Sequence, residues 1–277
     1  MSDAWAILSD VEQSIKAKVE STGVPLKEWA VDIFRGVLTG CNDAFIITSE
    51  KRNEILANCI DDAERERTAA LIRPILRGRD IKRYGYDWAN LWLINTHNGV
   101  RGRIPRINIE DYPAVKVHLN QYWNKICDRD DQGDTPYNLR NCVYLEDFFK
   151  PKIIWKRVGS IIRFAYDTHG ILGLDSTCFA VGSHIPYLCC VLNSSMGHYL
   201  LNNAPRTGTG DLLISVQAVE PIKVPPVTDN ENMFEVFIKE QSMNPTAELE
   251  AKIDNIVFDL YGLNQEEREF IISNFRE

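Results

Sequence analysis

Arg73-Pro-Ile-Leu-Arg-Gly-Arg-Asp-Ile-Lys-Arg-Tyr84 carries five cations, Arg73, Arg77, Arg79, Lys82 and Arg83, against the single acid Asp80. Its apolar residues, Ile75, Leu76 and Ile81, are too few for a core of their own. The stretch must therefore be a strip held by those anchors on a larger body, with its charges turned outward. Gly78, between Arg77 and Arg79, allows a close backbone approach or a positive φ that a Cβ would make costly. Arginine leads the set, and its planar fork matches paired acceptors on a phosphate or a guanine edge. An ordinary solvated charged turn has the same composition, so the neighbouring segments decide between the two.

The chain has 277 residues, 44% hydrophobic and 25% charged, enough for one large or two modest domains with a substantial core. The net charge of −8 is unevenly placed. Thr228 to Glu277 holds twelve Asp/Glu against four Lys/Arg, which is the whole excess, so the first 227 residues are neutral together. Within them, Arg73 to Arg106 holds eight cations against two acids, and Lys150 to Arg163 five cations and no acid. Two basic strips on a neutral body are compatible with a positive face that meets a phosphate backbone.

Seven cysteines without CxxC spacing fit reduced thiols better than a disulfide frame or a zinc site. No run of eighteen apolar residues occurs and the N-terminus lacks the basic and apolar regions of a signal peptide, so no membrane association and a cytoplasmic location are expected.

Along the chain, Ala4–Ser21 has helical apolar spacing and reads as a leading connector helix, residues 1–22, that could continue from a preceding domain. Ala44–Thr48 reads as a buried strand, joined to the strand before it by a turn at Thr39-Gly40-Cys41-Asn42. Lys51–Ala70 reads as a solvated helix, Trp88–Thr96 as a strand, and Asp111–Lys125 as a helix with Pro113 in its first turn. Lys152–Trp155 and Ile161–Tyr166 form a hairpin, Asp175–Val181 is another strand, and Tyr187–Leu201 a buried helix or helix pair. The run Pro221-Ile-Lys-Val-Pro-Pro-Val227 closes a central domain, residues 23–227. Residues 228–277 form an acidic helical element in which a helix ends at Tyr261-Gly262 and Asn264 with Glu267 caps the next. Interspersed strands and helices without a βαβ rhythm give a mixed α+β fold.

Motifs for catalysis are missing. There is no GxSxG, HExxH or EF-hand loop, and Arg206-Thr-Gly-Thr-Gly210 does not match GxxxxGK[ST]. Thr135-Pro-Tyr137 lacks the Asn and first Pro of the amino-methyltransferase motif. No catalytic residue, metal or cofactor is expected.

Five blocks in fixed order carry a resemblance: Gly36-Val-Leu-Thr-Gly-Cys-Asn-Asp-Ala-Phe-Ile-Ile47, the strip from Arg73, Phe149-Lys-Pro-Lys-Ile-Ile-Trp-Lys-Arg-Val158, Tyr187-Leu-Cys-Cys-Val-Leu-Asn-Ser-Ser195, and the proline-bearing close with Ile253-Asp-Asn-Ile-Val-Phe-Asp-Leu-Tyr-Gly-Leu263. Together they resemble the TaqI-like C-terminal specificity domain, the target-recognition domain of restriction-modification and adenine-specific DNA methyltransferase enzymes. The resemblance implies a non-catalytic domain that holds duplex DNA and reads a short sequence, with methyltransferase and nuclease domains elsewhere in a parent enzyme. Related chains serve phage-defence methyltransferases that do not cut, and a protein-interaction scaffold is the rival from another class. In the matching block Arg77, Arg79, Lys82 and Arg83 become candidates for phosphate and base contacts, with Asp80 orienting an arginine or accepting from a cytosine amino group. Lys152, Lys156 and Arg157 would track the backbone, and Arg101, Arg103 and Arg206, on glycine-bearing loops, would enter a groove. Thr39 and Asn42 match the first block, though a turn that shapes the core explains them equally.

Overall fold

Lys152-Ile-Ile-Trp-Lys156 has no polar alternation because the strand it forms is covered on both faces. The computed structural model describes residues 9–227 and 232–275. The chain begins with α1 (Asp10–Thr22), β1 (Val24–Pro25) and β2 (Val31–Arg35), then turns through α2 (Asn42–Phe45) into β3 (Ile46–Thr48). Helices α3 (Ser49–Ala57) and α4 (Asp62–Leu71) lead to β4 (Ile72–Leu76) and β5 (Leu91–Ile94), followed by α5 (Pro113–Asn120) and α6 (Trp123–Ile126). Next come β6 (Lys152–Lys156), β7 (Val158–Gly159), β8 (Phe164–Asp167), β9 (Leu172–Gly173) and β10 (Thr177–Gly182). After α7 (Ile185–Asn193), α8 (Ser195–Leu201), β11 (Leu212–Leu213), α9 (Val216–Val219) and β12 (Lys223–Val224), the described chain ends in α10 (Asn232–Met243), α11 (Ala247–Leu260) and α12 (Gln265–Phe275).

The central sheet runs β2-β10-β6-β8, antiparallel throughout. Successive side chains of a strand point to opposite faces. Ile153, Trp155, Phe164, Cys178 and Ala180 enter one core with the buried residues of α1, α7, α8 and the C-terminal helices. Ile154, Ala165, Phe179 and Val181 enter a second with Phe45, Ile75, Leu93, Val115 and Phe148. The second sheet, β3-β5-β4-β9, is antiparallel except where β4 meets β9 in parallel, and a bridge from Val37 to Leu174 ties it to the first. This is the mixed α+β architecture expected from the sequence.

Several elements fall elsewhere than expected. β2 and β3 belong to different sheets, so the Thr39–Asn42 turn links sheets and is no hairpin. The helix expected over 51–70 breaks at 58–61, where the Asp61 carboxylate accepts the Glu64 N–H at 2.7 Å and starts α4. Glu64 is then buried, accepting from the Ala114 and Ile60 N–H groups at 2.8 and 2.7 Å. Asn264 and Glu267 exchange the expected capping bonds, at 2.7 and 3.0 Å, but three helices rather than two make up the tail. The first residues of the leading helix, 4–8, lie outside the described residues. Its described part packs on α12 and not in solvent: Ile15 is buried, and Ser14 Oγ and Lys18 Nζ both donate to Glu267 at 2.6 Å.

Candidate nucleic-acid interface

β4 buries Ile75 and Leu76 and carries the basic strip to a tight turn at Gly78–Asp80. Asp80 is buried, and both its oxygens hold Arg77: Oδ2 accepts the backbone N–H at 2.8 Å and Oδ1 accepts from Nη2 at 2.7 Å. Those hydrogen bonds raise the pKa of the guanidinium further, so Arg77 is a fixed charge with its fork engaged. Arg79 is exposed, with no side-chain partner among the described residues. Gly78 serves close approach: its N–H donates to Ser176 Oγ at 3.1 Å, and a Cβ there would lie 2.7 Å from Lys156 Cγ.

That approach brings the two basic strips together. Lys156 ends β6, exposed and without a side-chain partner among the described residues. Arg157 donates its backbone N–H to Ser176 O at 2.9 Å and accepts from Ile214 N–H at 2.8 Å, which leaves its half-buried side chain without a described partner. Arg79, Lys156 and Arg157 thus meet around Ser176 at one end of the central sheet. Arg35 joins them there, its Nη2 3.7 Å from Asp175 Oδ2. It is an isolated charge in the sequence, and only the pairing of Arg35 with Cys178 across β2 and β10 places it.

Two candidates turn inward and are corrected. Lys152 is fully buried, donating to Asp167 Oδ2 at 2.5 Å and to Phe148 O at 2.7 Å, and burial lowers its pKa. It shares a face of β6 with Ile154 and Lys156; that face is covered at 152 and open at 156. Arg83 is spent within the fold, 2.9 Å from Glu250 Oε1 through Nη1 and donating to Asn193 O at 2.6 Å through Nη2. Lys82 stays exposed, 3.5 Å from Asp87.

Thr39 and Asn42 build a turn. Thr39 is buried, donates through Oγ1 to Asn42 Oδ1 at 2.6 Å, and its carbonyl accepts from Arg129 Nε at 2.9 Å. Arg129, unremarked in the polar loop of the sequence, is buried and also binds the carbonyls of Ile126, Pro136 and Asn138. It clamps the 134–140 segment onto that turn.

The loop Gly99–Arg106 turns at Gly99 and Gly102, with φ of +73° and +80°. Arg103 donates to Val143 O at 3.1 Å and lies 3.4 Å from Glu146, and Arg106 lies 3.1 Å from Asp134. Arg101 is exposed, with no partner among the described residues. Arg206 closes its own loop, donating to Gly210 O and Asn202 Oδ1 at 3.0 Å each. That loop is held beside Lys156 by the pairing of Leu212 with Gly159. Among the described residues, no cluster of His, Cys, Asp and Glu could hold a metal ion, and no helix is long and apolar enough to cross a membrane.

The family model of the TaqI-like C-terminal specificity domain matches residues 73–214. Among solved structures, the chain is similar to the type IIL restriction-modification enzyme MmeI in complex with DNA, with a TM-score of 0.62 at 12% identity over 92% of this chain and 36% of that one. It is also similar to the type IIG restriction endonuclease BpuSI, with a TM-score of 0.51 at 14% identity over 91% and 33%. The chain thus spans 36% and 33% of the lengths of these two structures, and the likeness is one of fold. No curated protein matches it.

Proposed function

Because the chain belongs to the TaqI-like C-terminal specificity domain family, we propose that it holds duplex DNA and reads a short target sequence for a restriction-modification enzyme. The observation that carries this reading is the meeting of Arg79, Lys156 and Arg157 around Ser176, cations drawn from separate segments and left without side-chain partners among the described residues. Charges on separate segments converge at one place for a reason, and a polyanion is the partner they suit. In this reading Arg79, Lys156 and Arg157 contact phosphates, Arg101 enters a groove, and Arg77, oriented by Asp80, presents its remaining donors to the DNA. Residues 23–227 are the reading unit, flanked by 1–22 and 228–277, whose described helices brace it. The parent enzyme both cuts and methylates, as type II enzymes with fused activities do, and its methyltransferase and nuclease domains lie outside this chain. The chain alone then neither cuts nor methylates.

The rival, a scaffold whose acidic tail docks the basic strip of another subunit, has less support. Glu250 of α11 already holds Arg83 within the chain, at 2.9 Å. A randomised duplex pool passed over the immobilised chain at moderate salt separates the readings. Enrichment of one short motif is the expected result; retention without a motif would mean phosphate binding whose reading needs the other domains. No retention even at low salt would favour the scaffold.

A further inference from the structure

A cavity of about 300 Å³ lies between the two basic groups. On one side its lining residue Arg35 adjoins Asp175 and so Ser176, where Arg79, Lys156 and Arg157 meet. On the other, Asn141 lines both this cavity and the neighbouring hollow under Gly99–Arg106. A duplex contacting both groups would pass across it.

Its chemistry is mixed in a specific way. Leu38, Leu139, Leu145 and Phe148 supply apolar wall, while Asn95 and His97, at the end of β5, supply polar groups. Asn95 is 7% exposed, and its side-chain amide has no hydrogen-bond partner among the described residues. The amide is open to the cavity rather than sealed from water, so its donor and acceptor are available to what enters. His97 Nδ1 accepts from the Gly99 N–H at 3.2 Å, which leaves the ring proton on Nε2. Burial lowers the pKa of that imidazole and keeps it neutral. Arg35 and Arg140 add guanidinium groups whose side chains are 39% and 58% exposed. An amide that offers donor and acceptor together, a further N–H, apolar walls for a ring face and cations at the solvent side match a nucleotide, and the volume is at the small end of the ligand range of about 300–1,000 Å³.

We propose that this cavity receives a single unstacked nucleotide, its base edge paired with Asn95 and His97 Nε2–H and its phosphate met by Arg35 or Arg140. The nucleotide comes from the bound duplex, which rests on the DNA-binding reading above; a free nucleotide has the same chemistry and is the alternative source. Because a mispaired base costs less to unstack, a duplex with one central mispair should bind the whole chain more tightly than its fully paired twin, by about fivefold. Fluorescence anisotropy with the two duplexes measures this. Asn95→Leu should abolish the preference by weakening the mispaired duplex more than the paired one. Leu38→Trp, filling the cavity from a half-buried lining position, should do the same, and thermal unfolding of both variants checks the fold.

Deoxynucleoside monophosphates followed by ligand-observed NMR form the second arm. Binding that the variants lose, without any mispair preference, would assign the cavity to free nucleotides. Neither preference nor monophosphate binding, with duplex affinity intact, would overturn the proposal and leave the DNA reading standing. Absence of duplex affinity with monophosphate binding retained would overturn the DNA reading and keep the cavity as a nucleotide site.

Discussion

Arg77 and Arg79 are two positions apart and face different demands. Arg79 is exposed and unpartnered among the described residues, so Arg79→Ala should leave the melting temperature unchanged, as most surface substitutions do. It should weaken all duplexes alike and lower the salt slope by about one unit, as loss of a phosphate contact does. Arg77→Ala removes the charge that pairs a buried carboxylate, and among the described residues Asp80 retains only the backbone N–H of residue 77. That variant should lose stability by about 1–3 kcal/mol in chemical denaturation. Lys152→Ala is the sharper case, because Asp167 would be left charged in the interior. The breaking of a buried pair costs about 3–5 kcal/mol. Remaining bonds to Asp167 from Tyr86 Oη–H and the N–H groups of His169 and Ile171 place the expected loss at the lower end of that range. What remains folded should bind DNA as wild type does; a salt-dependent loss of affinity without a loss of stability would return Lys152 to the interface.

Elements were legible where a local rule decided them. Pro113 opens α5, and Gly262 ends α11 with φ +64°. The pairing of β6 with β8 followed from their apolar content, although Val158-Gly159 between them forms β7 and pairs with β11 instead of turning. What stayed hidden depended on partners far along the chain. The sequence shows Lys152 and Lys156 as equal flanks of one strand, and only the second core packed over one end of that face buries the first and spares the second. Arg83 likewise looks free until α11 brings Glu250 to it. The seam between α1 and α12 is another such product, and it carries a pH dependence. Burial alone would raise the pKa of Glu267, but hydrogen bonds from Lys18, Ser14 and the Asn264 N–H outweigh it and hold the carboxyl below the ordinary 4.5. A carboxylate depressed in the folded state contributes stability above its unfolded pKa and loses it as pH falls through the folded value. Unfolding free energy should therefore decline below about pH 4.5, and Glu267→Gln should be less stable at neutral pH and show a shallower decline. Equal slopes for the two proteins would remove Glu267 from the acid response.

For the whole molecule, net charge is a poor guide to partner because the −8 is carried by residues 228–277. The helices described there are also structural: Phe234, Phe237, Ile253, Val257 and Phe258 lie in the core that contains Trp155 and α7. A chain cut after Val227 should therefore fail to unfold cooperatively, since one core loses part of its wall. With the tail in place, Glu250 takes up Arg83, while Arg79, Lys156 and Arg157 keep no side-chain partner among the described residues. Binding should then follow the local cations. About 4–6 phosphate contacts from Arg79, Lys156, Arg157 and their neighbours would give a log–log slope of affinity against salt of about −4 to −5. Lys156→Gln should reduce that slope by about one unit and weaken all duplexes alike, as loss of a phosphate contact does. A flat salt response in the wild type would remove the phosphate backbone from the interface, and with it the role proposed for the cations around Ser176.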